Sequence, residues 1–331
     1  MNNNNVVIIA EACDNHLGNL ETAKEMAFQS KKAGADIVKF QHHIPDEEML
    51  KDSPMSDNFD EPLYDFLVKY ALNLDQHIQL IEFCKKIEIE YLCTPFSLAA
   101  AIELKNLGIK KFKIGSGEMT DTPTISNIAD FSDEMIISTG MSTFDEIDKT
   151  YNLLISKKIN FSLLNCTSEY PPIYEDINLG VIPQMIKRYP NAKIGHSDHT
   201  NEIYTSIAAV SLGAKIIEKH IILDKNQKGP DQEVSIDMKQ LNELVYSIRN
   251  IEKSLGKIKK INDKEKPIRK WAFRSIVSKI NISKGEIIKQ NMIWSKRPGT
   301  GIPSNKMNEV INKKAKKDIP NNVIIKWEDL E

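Results

Sequence analysis

Two lysines stand inside otherwise apolar segments, where a charged side chain is unusual. Lys39 lies in the segment DIVKFQ and Lys113 in the segment KFKIGS. A buried lysine needs an anion, a carboxylate partner or a depressed pKa. Beside serines and loop amides, two such ammonium groups would hold a phosphate or a carboxylate. The alternatives are a Schiff-base lysine of an aldolase and a structural ion pair with Glu11 or Glu118.

Two histidines, His199 and His220, lie at the ends of the last two apolar runs before residue 255. If these runs are neighbouring strands, the two imidazoles could meet at one metal ion. Two protein ligands leave positions open for water and substrate oxygen, which suits a six-coordinate Mn²⁺, Mg²⁺ or Co²⁺ better than structural zinc. The alternative is that each is a hydrogen-bonded core histidine.

The elements that must position these residues are eight short apolar runs that alternate with amphipathic segments. The runs are 6–12, 36–41, 90–96, 111–116, 134–139, 161–167, 192–198 and 215–222. Near-continuous apolar runs are typical of parallel strands buried on both faces. We therefore predict an α/β fold, a (β/α)8 TIM barrel, over residues 1–255. A doubly wound open sheet is the alternative, but no GxGxxG follows the first run.

In such a barrel the chemistry lies at the carboxyl ends of the strands, and polar residues gather there in this sequence. They include Glu11, Lys39, Thr94, Lys113, Ser116, Glu118, Ser138, Ser168, Tyr170, Ser197, His199 and His220. Burying so many polar groups costs free energy unless each is paired or used. Any single serine or threonine could instead cap a helix. The whole set on one rim favours an active site.

The pattern changes after the barrel. Residues 256–270 are basic and contain Pro267, and we predict a solvated linker there. Residues 271–331 contain short apolar runs such as RSIVSKI and NVIIKW, separated by the turn signals SKGE, RPGTG and PNN. They predict a small, irregular β-rich domain.

Composition excludes several classes of protein. The chain has 331 residues, of which 41% are hydrophobic and 27% charged, and its net charge of −2 offers no basic field for nucleic acid. Its four cysteines lack CxxC spacing, which argues against a zinc ribbon and a disulfide framework. The start MNNNN does not read as a signal peptide, and no apolar run reaches membrane-spanning length. We expect a cytoplasmic enzyme with no membrane partner.

The order of the motifs resembles that of the sialic acid synthase family, which includes N-acetylneuraminate, legionaminate and pseudaminate synthases. The barrel motifs are AEACDNHLGN, IVKFQ, CTPF, FKIGSGEM, ISTGM, CTSEYP, IGHSDHT, IEKH and KGPD. RSIVSKINISKGEII and KRPGTGI resemble the family's C-terminal antifreeze-like (SAF) domain. The resemblance covers essentially the whole chain. It departs from the family where FQHH replaces a common HQTH and where Ser168 replaces a common asparagine before the loop tyrosine.

The resemblance implies where each ligand binds. It places phosphoenolpyruvate on Lys39, Lys113, Ser116, Ser138, Ser168 and Ser197. It places a divalent metal, usually manganese, on His199 and His220. The amino sugar would contact Glu11, Asn58, Thr94, Phe96, Glu118, Tyr170 and Asp231, with Phe273 and Arg297 from the SAF domain. It also implies a homodimer in which each SAF domain covers the partner's active site.

The activity that the resemblance implies is condensation of phosphoenolpyruvate with an N-acetylamino-sugar aldehyde, with C–O cleavage and release of phosphate. Glu11 and Glu118 are the candidate proton acceptors. The segment FQHHIPDEEM favours N-acetylmannosamine and hence N-acetylneuraminate synthase. The loop that contains Tyr170 and the motif IEKH favour the alternative, a legionaminate or pseudaminate synthase that uses a 2,4-diacetamido-trideoxyhexose. A Schiff-base aldolase and an inert barrel with a sugar- or ice-binding module are the remaining alternatives.

Overall fold

Eight parallel strands form a closed barrel in the computed structural model, which describes residues 5–54, 59 and 61–331. Each strand pairs with its neighbours in the sequence, and the first pairs with the eighth. The strands are β1 Val7–Glu11, β2 Ile37–His42, β3 Glu90–Pro95, β4 Lys111–Ile114, β5 Glu134–Ser138, β6 Asn160–Cys166, β7 Lys193–Asp198 and β8 Ile216–His220. The (β/α)8 prediction is confirmed, and the open-sheet alternative is wrong.

Helices connect successive strands. They are α1 Leu20–Ala33, α2 Pro45–Glu48, α3 Leu63–Tyr70, α4 Leu74–Lys86, α5 Leu98–Asn106, α6 Thr122–Ala129, α7 Phe144–Lys157, α8 Val181–Arg188, α9 Tyr204–Ser211 and α10 Met238–Ser254. Local sequence sets their starts: Asn73 with Gln76 and Thr143 with Glu146 form capping boxes that satisfy free backbone N–H groups. Among the described residues, no helix has the length and apolar character needed to cross a membrane.

The pleat of the strands explains how the barrel combines a core with a site. Residues two apart on a strand share a face, and one set of inward residues is an apolar layer of Ile9, Ile37, Leu92, Ile136, Leu164 and Ile216. Two positions further along the same six strands stand Glu11, Lys39, Thr94, Ser138, Cys166 and Glu218. The apolar layer therefore closes the barrel below, and polar side chains lie at its carboxyl end.

The opposite face of β7 and β8 carries a buried ion pair. Nζ of Lys219 lies 3.2 Å from Oδ1 of Asp198, and both side chains are buried. The hydroxyls of Thr205 and Ser206 on α9 each donate to Oδ2 of Asp198 at 2.6 Å. These two strand-end polar residues thus fasten α9 to the barrel instead of facing the cavity.

The remaining residues form a second compact unit, Gly256–Glu331. It contains α11 Glu265–Ala272, α12 Met307–Val310 and an antiparallel pair, β9 Ser275–Ser278 with β10 Ile293–Lys296. Its core is built from isoleucines with other apolar residues, Ile276, Ile282, Ile288, Met292, Ile293, Ile302, Val310, Ala315, Ile319, Ile325 and Leu330. Part of the stretch predicted as a linker is helical, because Pro267 lies in the first turn of α11, where its missing N–H is not needed.

Candidate active site

A cavity of about 380 Å³ lies at the carboxyl ends of the barrel strands. It brings together the barrel residues that the sequence singles out. They are Glu11, Lys39, Thr94, Phe96, Lys113, Ser116, Glu118, Ser138, Ser168, Tyr170, Ser197, His199, His220 and Asp231. Asn58, predicted to contact the sugar, lies outside the described residues.

Two lysines and two glutamates form a charged cluster in this cavity. Nζ of Lys39 lies 3.1 Å from Oε2 of Glu11 and 2.8 Å from Oε2 of Glu218. Nζ of Lys113 lies 3.2 Å from Oε1 of Glu218. All four side chains are buried. The ion pair of Lys39 with Glu11, raised as an alternative from the sequence, is therefore present, but the shared partner of both lysines is Glu218.

The two glutamates differ in their affinity for protons. Burial raises the pKa of Glu11 to about 7, although Lys39 opposes the shift. Burial would raise the pKa of Glu218 too, but Lys113 and Lys39 outweigh it and hold that pKa well below its usual range. Glu218 is thus a permanent carboxylate between the lysines. Glu11 can accept or release a proton near neutral pH, as a general base requires.

Serine hydroxyls extend the charged cluster. Nζ of Lys113 donates to Oγ of Ser138 at 2.8 Å, and the hydroxyl of Ser197 donates to Oε1 of Glu218 at 2.9 Å. Burial lowers the pKa of Lys113, although Glu218 opposes the shift. Ammonium groups next to hydroxyls suit the oxygens of a phosphate or a carboxylate, because charge-assisted hydrogen bonds are the strong ones.

A glycine brings the backbone close to two more of the predicted serines. The amide N–H of Gly140, which follows β5, donates to Oγ of Ser116 at 3.0 Å. A Cβ at Gly140 would collide with the hydroxyls of Ser116 and Ser168. The hydroxyls of Ser116 and Ser168 thus lie close together at one edge of the cavity.

The rings of His199 and His220 lie 5.2 Å apart between their centroids. Nδ1 of His199 donates to the carbonyl of Thr167 at 2.7 Å, and its Nε2 lies 3.2 Å from the Tyr170 hydroxyl. Nδ1 of His220 is buried and has no hydrogen-bond partner among the residues that the structure describes. Burial holds the pKa of His220 well below its usual range, so this imidazole is neutral.

Cys13 and Asp231 complete a group of possible metal ligands around His220. One donor atom from each of the three residues lies within 4.8 Å of the others. The unpartnered Nδ1 of His220, 4.0 Å from Oδ1 of Asp231, is an atom that a metal ion would satisfy. Imidazole, carboxylate and sulfur are ligands of divalent transition metals, so the residues fit such an ion. Asp231, predicted to contact the sugar, belongs to this group.

Besides the charged cluster and the possible metal ligands, the cavity has a polar wall around His43. Its Nδ1 lies 2.8 Å from Oε2 of Glu48, and its Nε2 lies 2.9 Å from Oε1 of Gln41 and 3.8 Å from Oδ2 of Asp14. The ring stacks on Phe96 at 4.3 Å. Burial opposes protonation, but the Glu48 and Asp14 carboxylates outweigh it and raise the pKa of His43. Both ring nitrogens face acceptor oxygens, which suits the doubly protonated ring.

Two further predicted residues present unused hydrogen-bonding atoms. Oγ1 of Thr94 and Oε2 of Glu118 are buried and have no hydrogen-bond partner in the part of the chain that the structure describes. Burial raises the pKa of Glu118. Because buried polar atoms are normally paired, two that line a cavity mark positions where a polar ligand would bind.

The two predicted residues of the second unit are both exposed. Nε of Arg297 donates to the carbonyl of Ala272 at 3.1 Å, and its guanidinium lies 5.5 Å from the ring centre of Trp271. The guanidinium of Arg269 lies 4.4 Å from the ring centre of Phe273. Aromatic and guanidinium groups are thus paired on the exposed surface of this unit.

The sequence assigns no role to three residues with central places in the cavity, Glu218, Cys13 and His43. The signal for two of them is the period of a strand. Glu218 lies two residues before His220 on β8, and Cys13 lies two residues after Glu11. His43 follows β2, and only its contacts with α2 reveal its partner Glu48.

Comparison with known proteins assigns both units. The model of the NeuB family matches residues 26–260, and that of the SAF domain matches residues 273–331. The N,N'-diacetyllegionaminic acid synthase of Campylobacter jejuni is 38% identical over 97% of this chain and 98% of its own length. The N-acetylneuraminate-9-phosphate synthase of Homo sapiens is 33% identical over 87% of this chain and 82% of its own.

A solved structure supports the same assignment. The crystal structure of N-acetylneuraminic acid synthetase from Leptospira borgpetersenii superposes with a TM-score of 0.72 at 31% identity. The match covers 80% of this chain and 90% of that one.

Proposed function

The chain belongs to the NeuB family and carries a C-terminal SAF domain, and on this basis we propose that it is a nonulosonic acid synthase. It would join phosphoenolpyruvate to the aldehyde of an N-acetylated amino sugar. The observation that carries the proposal is that one cavity holds both an anion site, built on Lys39 and Lys113, and a possible metal site around His220.

The two lysines supply the positive charge that binds the anionic substrate and stabilises the departing phosphate. Lys39, Lys113 and the hydroxyls of Ser138 and Ser197 would bind the phosphate and carboxylate of phosphoenolpyruvate. Its C3 attacks the aldehyde carbon, C2 becomes cation-like and a water adds there. Phosphate then leaves with the bridging oxygen, so that C–O is the bond that breaks. Charges fixed before the reaction stabilise the departing anion without reorganisation.

Glu11 is the better-supported proton acceptor of the two predicted carboxyls. Its pKa near 7 and its contact with Lys39 allow it to take the proton of the water that adds at C2. Glu118, whose Oε2 has no partner among the described residues, would instead accept a hydrogen bond from the sugar.

A divalent metal held by His220 and its neighbours would polarise the aldehyde oxygen. The carbonyl of Thr167 accepts from Nδ1 of His199 and fixes the direction of that ring, as hydrogen-bond partners commonly do at metal sites. Nε2, which lies 3.2 Å from the Tyr170 hydroxyl, is the nitrogen that His199 would offer to the ion if that hydroxyl turned away.

The relatives favour a 2,4-diacetamido-trideoxyhexose over N-acetylmannosamine, which reverses the order expected from the sequence. The relative named for diacetyllegionaminic acid is more similar and matches more of the chain than the human one named for N-acetylneuraminate 9-phosphate. One observation supports N-acetylmannosamine as the second candidate. The wall of His43, Glu48 and Asp14 offers charged partners for hydroxyl groups. Pseudaminate precursors remain the third candidate.

The proposal includes a homodimer in which the SAF domain of one protomer covers the active site of its partner. Support comes from the exposed Arg297 and Phe273 of the SAF unit, which present hydrogen-bond donors and an aromatic face. Closing the barrel mouth would exclude bulk water from the reacting groups.

The test is an incubation of the purified protein with phosphoenolpyruvate, a divalent metal and one of three sugars. These are N-acetylmannosamine and the 2,4-diacetamido-trideoxyhexose precursors of legionaminate and pseudaminate. Phosphate release and the product mass are measured. The proposal predicts sugar-dependent release of phosphate and a nine-carbon acid, with the legionaminate precursor used best. A covalent adduct trapped on a lysine by borohydride, without phosphate release, would establish the Schiff-base aldolase instead.

A further inference from the structure

We infer that the thiolate of Cys13 is a direct ligand of the metal, so that this chain prefers thiophilic ions such as Zn²⁺, Co²⁺ or Fe²⁺ to Mn²⁺ or Mg²⁺. The inference rests on the metal requirement of the proposed function. It differs from the manganese site on two histidines that the sequence predicts, because Cys13 and Asp231 join His220 in the ligand group and His199 is not a member of it.

The position of Cys13 points its side chain into the ligand group. Cys13 lies two residues after Glu11 at the end of β1, and its side chain is buried with those of His220 and Asp231. Its φ is 45°, in the left-handed region that non-glycine residues rarely adopt. Such a conformation persists only where its surroundings hold it, and it is common at functional sites.

The distances allow one ion to contact all three residues. The donor atoms of Cys13, His220 and Asp231 lie within 4.8 Å of one another. Metal–ligand bonds of about 2.0–2.3 Å in a tetrahedral site place ligand atoms about 3.5 Å apart, so an ion would draw these side chains inward by roughly 1 Å. That movement is within reach of side-chain rotation.

The described contacts of Cys13, His220 and Asp231 do not supply a positive charge to the group. Nδ1 of His220 is buried without a partner among the described residues. The donor nearest to the sulfur is neutral: Nε2 of the Gln41 amide lies 2.9 Å from Sγ of Cys13. A divalent ion would bind the free nitrogen, displace the proton of the Cys13 thiol into solvent, and balance the charges of the resulting thiolate and the carboxylate.

The ligand set determines which ion is preferred. Thiolate ligands select zinc and other soft ions, whereas carboxylate and water suit magnesium and manganese. One sulfur, one imidazole and one carboxylate, with open positions for water and substrate, resemble a catalytic zinc or cobalt site more than a manganese site.

A second thiol in the same cavity provides a matched control. Sγ of Cys166 lies 3.9 Å from Nδ1 of His199 and 3.9 Å from Oγ of Ser168. It lines the cavity, but it is not a member of the ligand group. The structure therefore predicts that Cys13, and not Cys166, bonds to the metal.

The experiment is a titration of the metal-free, full-length protein with Co²⁺ in the absence of substrates. A thiolate bound to Co²⁺ produces a charge-transfer band in the near ultraviolet. We expect this band in the wild type and in Cys166→Ser, and its loss in Cys13→Ser. Because Zn²⁺ binds a given N/O/S site more tightly than Mn²⁺ in any case, competition binding should show a larger preference for Zn²⁺ over Mn²⁺ in the wild type than in Cys13→Ser. Cys13→Ser should bind Zn²⁺ more weakly by about tenfold or more, since even loss of an outer-shell partner costs 10–100-fold.

A wild type without the band, or a Cys13→Ser variant that keeps it, would overturn the inference. If Cys13→Ser does not fold, Cys13→Gly replaces it, because glycine adopts the positive φ of this position without strain. The readout separates this inference from the proposed function. If the band appears but no sugar is used, only the metal ligand is established. If metal-dependent activity appears without the band, only the proposed function is established.

Discussion

Nζ of Lys39 lies 2.8 Å from Oε2 of Glu218. The other oxygen of the same carboxylate lies 3.2 Å from Nζ of Lys113. Glu218 therefore holds two buried ammonium groups side by side before any substrate arrives. This arrangement lowers the repulsion between the lysines and fixes both in the position where a doubly charged anion can bind them.

The first prediction concerns this anion site. Lys113→Ala should raise the KM for phosphoenolpyruvate by about thirtyfold to several thousandfold, since truncating one member of a buried charged contact costs about 2–5 kcal/mol. Steady-state kinetics at saturating sugar measure the effect. Lys111→Ala is the control, because Lys111 lies on the same strand but pairs with Glu90 and Glu134 away from the cavity. An unchanged KM in Lys113→Ala would rule out this anion site.

The second prediction concerns the metal. Treatment with EDTA should abolish activity, and adding a divalent ion should restore it in the wild type. The variants His199→Ala and His220→Ala should remain inactive after the same addition while keeping the wild-type circular dichroism, because strand-end residues serve chemistry more than packing. Phosphate release is the measurement. Full activity of the EDTA-treated wild type would exclude a metal-dependent reaction.

The third prediction concerns stability and involves no substrate. Asp198→Asn should lower the free energy of unfolding by about 3–5 kcal/mol, because Lys219 would keep a buried charge without its partner. Asp148→Asn removes the exposed ion pair with Arg188 and should cost less than about 1 kcal/mol. Urea unfolding at neutral pH, followed by circular dichroism, compares the two. Equal effects would contradict the structural role of the buried pair.

The same pair should respond to acid in a defined direction. Burial would raise the pKa of Asp198, but Lys219 outweighs it and holds the pKa below the ordinary value of 3.8. The stabilisation from this carboxylate is therefore complete above the unfolded-state pKa. It is lost as the pH falls from there through the lower folded-state pKa.

The fourth prediction concerns the SAF domain. Arg297→Ala should impair use of the sugar more than use of phosphoenolpyruvate, whereas Arg274→Ala, whose side chain donates to Ser295 within the unit, should have little effect. Kinetics with each substrate varied in turn measure the difference.

Mixing Arg297→Ala with His199→Ala protomers, at a sugar concentration too low for Arg297→Ala alone to be active, tests whether the arginine acts across a dimer. A hybrid dimer holds one site with a wild-type barrel and a wild-type arginine, so activity should return. If hybrid dimers are shown to form and activity does not return, Arg297 acts in its own protomer's site or lies outside the site.

Much of the fold could be predicted from the sequence, because parallel strands that are buried on both faces have near-continuous apolar sequences. All eight apolar runs become strands. Part of the stretch predicted as a linker is helical, because a proline such as Pro267 is compatible with a first helical turn as well as with a loop.

The contacts within the site were harder to predict from the sequence, because they join segments that are far apart in the chain and decide the chemistry of the site. The period of β8 shows that Glu218 faces inward, but only the assembled barrel reveals that it contacts both Lys39 and Lys113. Likewise, Cys13 and Asp231 are far apart in the sequence, and folding alone places them beside His220.

Phosphoenolpyruvate labelled with ¹⁸O at the bridging oxygen shows directly which bond breaks in the proposed condensation. The protein is incubated with this substrate, a divalent metal and the legionaminate precursor, and mass spectrometry locates the label. We expect phosphate that carries the label and a nine-carbon acid whose C2 oxygen comes from water. Label retained in the acid, or no sugar-dependent phosphate release with any of the three sugars, would contradict this expectation.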